Sequence, residues 1–183
     1  MHTQTTPHAG RLCNQIIRNL CVSCIAEKHD LYVEYSSHDI IQRIGIPLYV
    51  GTQTHNSLIE LNNDNFLDVL YAPTLTSNLN ANNAYFQNET ITTFLHQYLR
   101  KHEHKQSIIH KNPFVSRYQN NDDIFVHMRM GDVYENSWNP SLEYYEKAIE
   151  EWTSTNENCN IYVSTDDPQN PMVNQILKKY ANT

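Results

Sequence analysis

No stretch of about 18 apolar residues runs anywhere in the chain, so the sequence offers no helix that could span a bilayer. It also lacks a basic surplus. Lys and Arg number 13 against 20 Asp and Glu, and the net charge of −7 argues against general nucleic-acid binding. A local basic pocket for one phosphate group is still compatible with that balance. The opening MHTQTTPHAG has neither the basic start nor the apolar core of a signal peptide. Cysteines are few: three crowd one segment, at 13, 21 and 24, and the fourth is far off at 159. That is not the spacing of a secreted disulfide framework. The expectation is a cytoplasmic chain with reduced thiols, in which the glycosylation acceptor Asn88-Glu89-Thr90 goes unused. Internal repeats, low-complexity tracts and long linkers are absent as well.

What remains is a globular composition, 39% apolar and 18% charged over 183 residues, enough for one ordinary domain or one and a half small ones. GRLCNQIIRNLCVSCIAEKHD predicts a turn feeding a helix, with Ile16, Ile17, Leu20, Cys21, Cys24 and Ile25 on one buried face. DLYVEYS alternates as a strand, and IPLYVG (46–51) is a second candidate. The Asn-rich LNNDN and NLNANNAY predict turns or loops, and HTQTTP makes a poor first strand. The segment NETITTFLHQYLRKHEHKQSIIHK predicts a helix with basic residues at its end. From 123 the pattern sharpens: strand DIFVHMR, loop GDVYENSWN, helix PSLEYYEKAIEEW, strand CNIYVSTDD, and a further helix from about Pro171. The helix after Pro140 puts Leu142, Tyr145, Ala148, Ile149 and Trp152 on one face. This β-α-β-α order is half of a doubly wound sheet, and the natural boundary before it lies at KNPFVSRYQNND, 111–122. The division expected is an N-terminal α/β domain over 1–115 and a partial second domain over 116–183.

The sharpest chemistry is His127-Met128-Arg129-Met130-Gly131-Asp132, where an apolar strand runs into a cation, a flexible residue and an acid. In open α/β sheets ligands bind outside the carboxyl ends of strands. His127 and Arg129, two apart, share a face there. Arg offers a planar fork that suits phosphate oxygens, Gly131 lets backbone approach closely, and Asp132 can orient the Arg. The competing reading is a surface ion pair worth about 0–1 kcal/mol. Ser164-Thr165-Asp166-Asp167 closes the neighbouring strand in the same polar way, which favours a shared crevice, although Asp before Pro168 also suits a helix N-cap.

VHMRMGDV, then LEYYEKAI and IYVSTDDP, resembles the C-terminal half of GDP-fucose-dependent fucosyltransferases, most closely the α-1,2 family, and GRLCNQIIRNLCVSCIAEKHDLYVEY resembles that family's opening turn and helix. The resemblance covers roughly 9–35 and 122–170. It implies a GT-B-like α/β fold of two Rossmann-type layers, the second incomplete because family members continue past the STDDP-like segment, which would leave a sheet edge open to self-association or to a partner chain. It implies inverting transfer of fucose from GDP-fucose, a donor substrate and not a cofactor, to a glycan hydroxyl, with no metal. By motif match, Arg129 would grip the diphosphate, His127 would line the pocket, Asp132 would support Arg129, and Asn14 would reach toward sugar or phosphates. Asp166, Asp167, Thr165 and Gly131 would bind substrate. The alternative is a non-catalytic remnant that holds a nucleotide weakly. Two positions depart from the family pattern: Cys13 stands at a usual glycine, where φ > 0 would strain it, and Met130 replaces a second Arg of many members.

Other constellations read as packing. Cys21 and Cys24 lie on the apolar side of a helix, where Cys behaves as a small hydrophobe. His96, His102, His104 and His110 read as a solvated surface. Tyr144 and Tyr145 read as packing residues, and Tyr134 and Trp138 sit in the loop beside the proposed pocket. Arg18 can face a cleft or lie on the surface.

Overall fold

A computed structural model describes residues 2–6, 11–117, 122–131, 140–156 and 159–180. The protein is mixed α/β, with seven helices and short parallel strand pairs among the described residues. It divides into two compact units, Met1–Val115 and Ser116–Thr183.

In the first unit, β1 (Thr3–Gln4) pairs in parallel with β2 (Val33–Glu34) across α1 (Leu12–His29). The short helix α2 (His38–Arg43) follows β2. Next, β3 (Leu58–Glu60) pairs in parallel with β4 (Asn78–Asn80) across α3 (Phe66–Tyr71). The two ladders meet through side chains. Leu79 N–H donates to Thr3 Oγ1 at 2.9 Å, and Thr6 N–H donates to Asn82 Oδ1 at 2.9 Å. Equal steps along both chains, 3 to 6 and 79 to 82, make β1 and β4 parallel neighbours. The polar start of the chain is thus a strand after all. Thr3 and Thr5 are buried, and Thr5 Oγ1 accepts from Ser36 N–H, so the hydroxyls satisfy amides that an apolar strand would leave for a ladder. NLNANNAY likewise begins as β4 and not as a loop. Asn78 is buried because its amide exchanges two hydrogen bonds with the His55 backbone, at 3.1 and 2.6 Å.

The candidate strand IPLYVG forms no ladder. Tyr49 N–H goes to Ser23 Oγ and Gly51 N–H to Leu31 O, each at 2.8 Å. A Cβ on Gly51 would lie 2.3 Å from the carbonyl carbon of Asp30, so only glycine permits this approach. The long helical segment expected over 88–111 breaks at Arg100–Lys101 into α4 (Glu89–Leu99) and α5 (His102–Lys111). The break turns His104 back onto Tyr98, ring centroids 4.4 Å apart, and buries it. The four-histidine surface is corrected at that one position. Asn88 caps α4, its Oδ1 accepting from Ile91 N–H at 2.8 Å.

Along α1 the apolar face packs as its spacing predicts, and burial extends nearly all round from Arg18 to Ala26. Cys21 and Cys24 are free thiols in this core, beside the edge-to-face ring pairs of Phe66 with Phe86 and Phe94. Burial pushes the Cys21 thiol up and Cys24 up to about 12, so both stay protonated and unreactive. Cys13 is exposed in the first turn of α1. Its backbone is helical, and the feared left-handed strain does not arise there. Thiol alkylation of the native chain is therefore expected to modify Cys13 rapidly and to spare Cys21 and Cys24 until denaturant is added; rapid native labelling of all three would contradict this packing.

The second unit runs β5 (Ile124–Met128), α6 (Leu142–Thr153), β6 (Ile161–Thr165) and α7 (Pro171–Tyr180). The strands pair in parallel, His127 opposite Ser164 and Met128 opposite Thr165. Ser141 caps α6 by accepting from Tyr144 N–H. Val126, Met128 and Met130 pack with Tyr145, Ile149, Val173 and Ile176 in one core, so both helices cover the same face of the strand pair. The buried stripe of α6 is narrower than expected, because Ala148 is exposed and Trp152 is partly so. Lys179 ties α7 to Glu146 and Glu150 of α6.

Before β5, Arg117 makes paired hydrogen bonds to Asp123, whose Oδ1 also accepts from Asn160 N–H ahead of β6. The Arg117 guanidinium holds the Asp123 carboxyl at about 2, below its ordinary 3.8. A depressed carboxyl stabilises the fold above its unfolded value of about 4 and loses that contribution as pH falls toward its folded value. Acid unfolding followed by circular dichroism should therefore depend less on pH between about 4 and about 2 in Asp123→Asn than in the parent. Superimposable profiles would show that the pair contributes nothing.

Among the described residues no helix is long and apolar enough to cross a membrane.

Candidate functional site

In the second unit, the carboxyl ends of two parallel strands lie side by side, and the polar residues that close each strand fall there together. Exposure alternates through 124–130. Val126, Met128 and Met130 are buried, whereas Phe125, His127 and Arg129 are exposed. The alternation carries one step past the end of β5, so His127 and Arg129 project away from the helix-covered face. Met130 is 2% exposed and belongs to the core, which gives this position a packing reason to be apolar.

Beyond Met128 the chain leaves the ladder, and its amides need new partners. Asp166 supplies them. Its Oδ1 accepts from Met130 N–H at 2.7 Å and from Gly131 N–H at 3.0 Å. A Cβ on Gly131 would lie 3.0 Å from Asp166 Oδ2. The glycine therefore has a structural reason: it lets the loop close onto a carboxylate of the same chain. Two successive amides aimed at one oxygen form the kind of cradle that binds anions. Here the anion in the cradle is Asp166, and an incoming phosphate would meet the side chains of His127 and Arg129 and not these two amides.

The rest of STDDP shapes the approach to α7. Thr165 Oγ1 accepts from Asp167 N–H, and Asp167 Oδ1 accepts from Gln169 N–H. The cap of α7 is Asn170, buried, with Oδ1 accepting from Met172 N–H at 3.0 Å. The capping function lies a few residues past the acids to which the sequence pattern assigned it. Asp132, Tyr134 and Trp138 lie outside the described residues.

Beside β5 an open cleft of about 310 Å³ is lined by Phe125, His127, Pro140, Tyr144 and Tyr145. Phe125 is 67% exposed and Tyr144 60%, so His127 stands at one end of an aromatic surface. Their sequence context predicts packing for both tyrosines; only Tyr145 is buried. The available signal was Phe125, an aromatic on the same strand face as His127.

In the first unit, Asn14 lies in the first turn of α1, its Oδ1 accepting from Gln87 Nε2 at 2.6 Å. Arg18, one turn on, is 1% exposed, which corrects the surface reading. A cleft of about 490 Å³ opens elsewhere in this unit, where α2 and α5 end, lined among others by Asp39, Arg43, Ser107 and Lys111. No strand end contributes to it. No group of three or more His, Cys, Asp or Glu suited to a metal ion occurs among the described residues.

The Asp166 contacts give two expected outcomes. Asp166→Ala removes the acceptor of two amides that water can partly reach, and should destabilise the second unit by about 0.5–1.5 kcal/mol in urea unfolding. Gly131→Ala must push the carboxylate aside, and should destabilise less than Asp166→Ala if the Asp166 side chain can shift. Wild-type stability in Asp166→Ala would overturn this account.

Comparison with protein families, with curated proteins and with solved structures finds no match for this chain.

Proposed function

We propose that the chain is a GT-B-like, GDP-fucose-dependent glycosyltransferase of the α-1,2-fucosyltransferase kind. The observation that carries this reading is the strand-end arrangement of the second unit: exposed His127 and Arg129 closing β5 beside Asp166 closing β6, with the Met130 and Gly131 amides held by that carboxylate. It rests also on the resemblance of the His127 to Asp132 motif to that family.

In this reading the bond from the sugar's anomeric carbon to the diphosphate oxygen breaks while an acceptor hydroxyl attacks from the opposite face. The bonding pair leaves with GDP, and the hydroxyl proton passes to base or solvent. Arg129 offsets charge on the departing diphosphate, and His127 donates to the same oxygens. Asp132 orients Arg129. Asp167 and Thr165 border the nucleoside. Fixed donors of this kind act on charge that develops in the transition state, each worth about 3–4 kcal/mol where water is excluded. Asp166 acts indirectly, by holding the loop that begins at Met130.

A second reading has its own observation. With the Met130 and Gly131 amides already bound to Asp166, the strand end offers fewer donors to a diphosphate, which favours a weak nucleotide binder without transfer activity.

Calorimetric titration with GDP and GDP-fucose tests both. The enzyme reading expects micromolar binding, weakened about 10–100-fold in Arg129→Ala, which equals about 1.4–2.7 kcal/mol, together with release of GDP in the presence of a galactose-containing acceptor. Weak binding with no release supports the second reading. Absence of binding by the folded chain defeats both.

A further inference from the structure

Arg18 is the most deeply buried charge in the first unit, 1% exposed. It projects from the second turn of α1 to the carboxyl ends of β1 and β4, where one guanidinium nitrogen donates to Thr6 O and another to Asn82 O at 3.5 Å. Its Nε has no partner. Among the described residues no acid pairs with it. Among the described residues its hydrogen bonds go to those two main-chain carbonyls, and the unit's remaining residues, Met1 and 7–10, carry no acidic side chain. Burial lowers its pKa, but a guanidinium stays charged near neutrality. A buried charge without a counter-charge is strongly unfavourable, and ionisable groups in such perturbed settings cluster at functional sites.

The surface above this charge is polar. Asn14 lies one helical turn before Arg18 on the same face of α1, and Gln87 bonds to it. Tyr85, two residues before Gln87, is exposed on the same short segment. The chain holds these groups outward by an unusual device. Phe86, between Tyr85 and Gln87, is fully buried at φ 57°, and both of its neighbours are exposed. The position, outside the carboxyl ends of parallel strands, is where α/β sheets take their ligands.

We propose that the first unit has an oxyanion-binding subsite of its own, in which Asn14, Tyr85 and Gln87 contact a phosphate or carboxylate group and buried Arg18 supplies the opposing charge. The subsite uses residues of one unit only and does not depend on nucleotide binding at the end of β5. Arg18 is a positioning and electrostatic residue; the three surface groups touch the ligand.

The full-length chain carrying Arg129→Ala provides the background, so that failure at the β5 end cannot be mistaken for failure here. Inorganic phosphate, acetate and chloride are titrated at matched ionic strength, with melting midpoint and calorimetric heat as readouts. Phosphate or acetate is expected to bind saturably and to raise the midpoint, with chloride inert; the tighter of the two identifies the oxyanion. Arg18→Gln should weaken binding at least about tenfold, yet melt no lower than its parent when anion is absent, because an uncompensated charge has been removed. A purely structural clamp would behave oppositely, melting lower without anion and gaining as much from phosphate as the parent does. Should Arg18→Gln fail to fold, the surface variants Tyr85→Phe and Gln87→Ala decide. Weakened binding in either supports the subsite, and unchanged binding in both overturns it, as does a parent that responds to phosphate no more than to chloride.

Discussion

Where a parallel strand leaves its ladder, its next amides lose their partners in the sheet and need new acceptors. At the end of β5 that demand falls on Met130 and Gly131, and one carboxylate oxygen of Asp166 answers it. Much else in the second unit depends on this contact. It keeps Met130 in the core beneath the strand, and it favours a residue without a side chain at 131, where a Cβ would crowd the carboxylate. It also fixes where the backbone goes on leaving Arg129. Two hydrogen bonds to one charged acceptor are stronger than neutral ones, and each fails if the acid is lost.

The first unit meets the same demand with neutral groups. Thr3, Thr5, Asn78 and Asn82 receive backbone amides that would otherwise require a continuous ladder. Short polar side chains thus do the work of neighbouring strands, and so strands of two or three residues persist in a parallel arrangement. The apolar contribution comes from the helices, above all α1, whose buried length runs through Leu20, Val22 and Ile25.

This division of labour explains what the sequence reveals. Helical periodicity is strong in α1, α4 and α6, because those helices bury apolar faces and the pattern records the burial. The strands β5 and β6 are visible for the same reason. By contrast β1 and β4 are held by hydroxyl and amide side chains, which in sequence look like turns; nothing in NLNANNAY distinguishes an asparagine that bonds a strand from one that ends it. The break between α4 and α5 is equally silent, since Arg100 and Lys101 are good helix formers and the stacking of His104 on Tyr98 is a tertiary contact. At the candidate site the residue types and their shared strand face were legible from period-two alternation, whereas the inward turn of Asp166 was not. A carboxylate that receives a ligand and one that receives a backbone amide have the same letter.

The seam between β1 and β4 has an evolutionary consequence. A ladder of main-chain hydrogen bonds is indifferent to side-chain substitution, so selection can strengthen or weaken it only by changing packing around it. A seam made of Thr3 Oγ1 and Asn82 Oδ1 is written in the genetic code one residue at a time. Single nucleotide changes, at Thr3 within β1 or at Asn82 beyond the end of β4, can tighten or release the joint between the two half-sheets while the main-chain pairing of each stays in place.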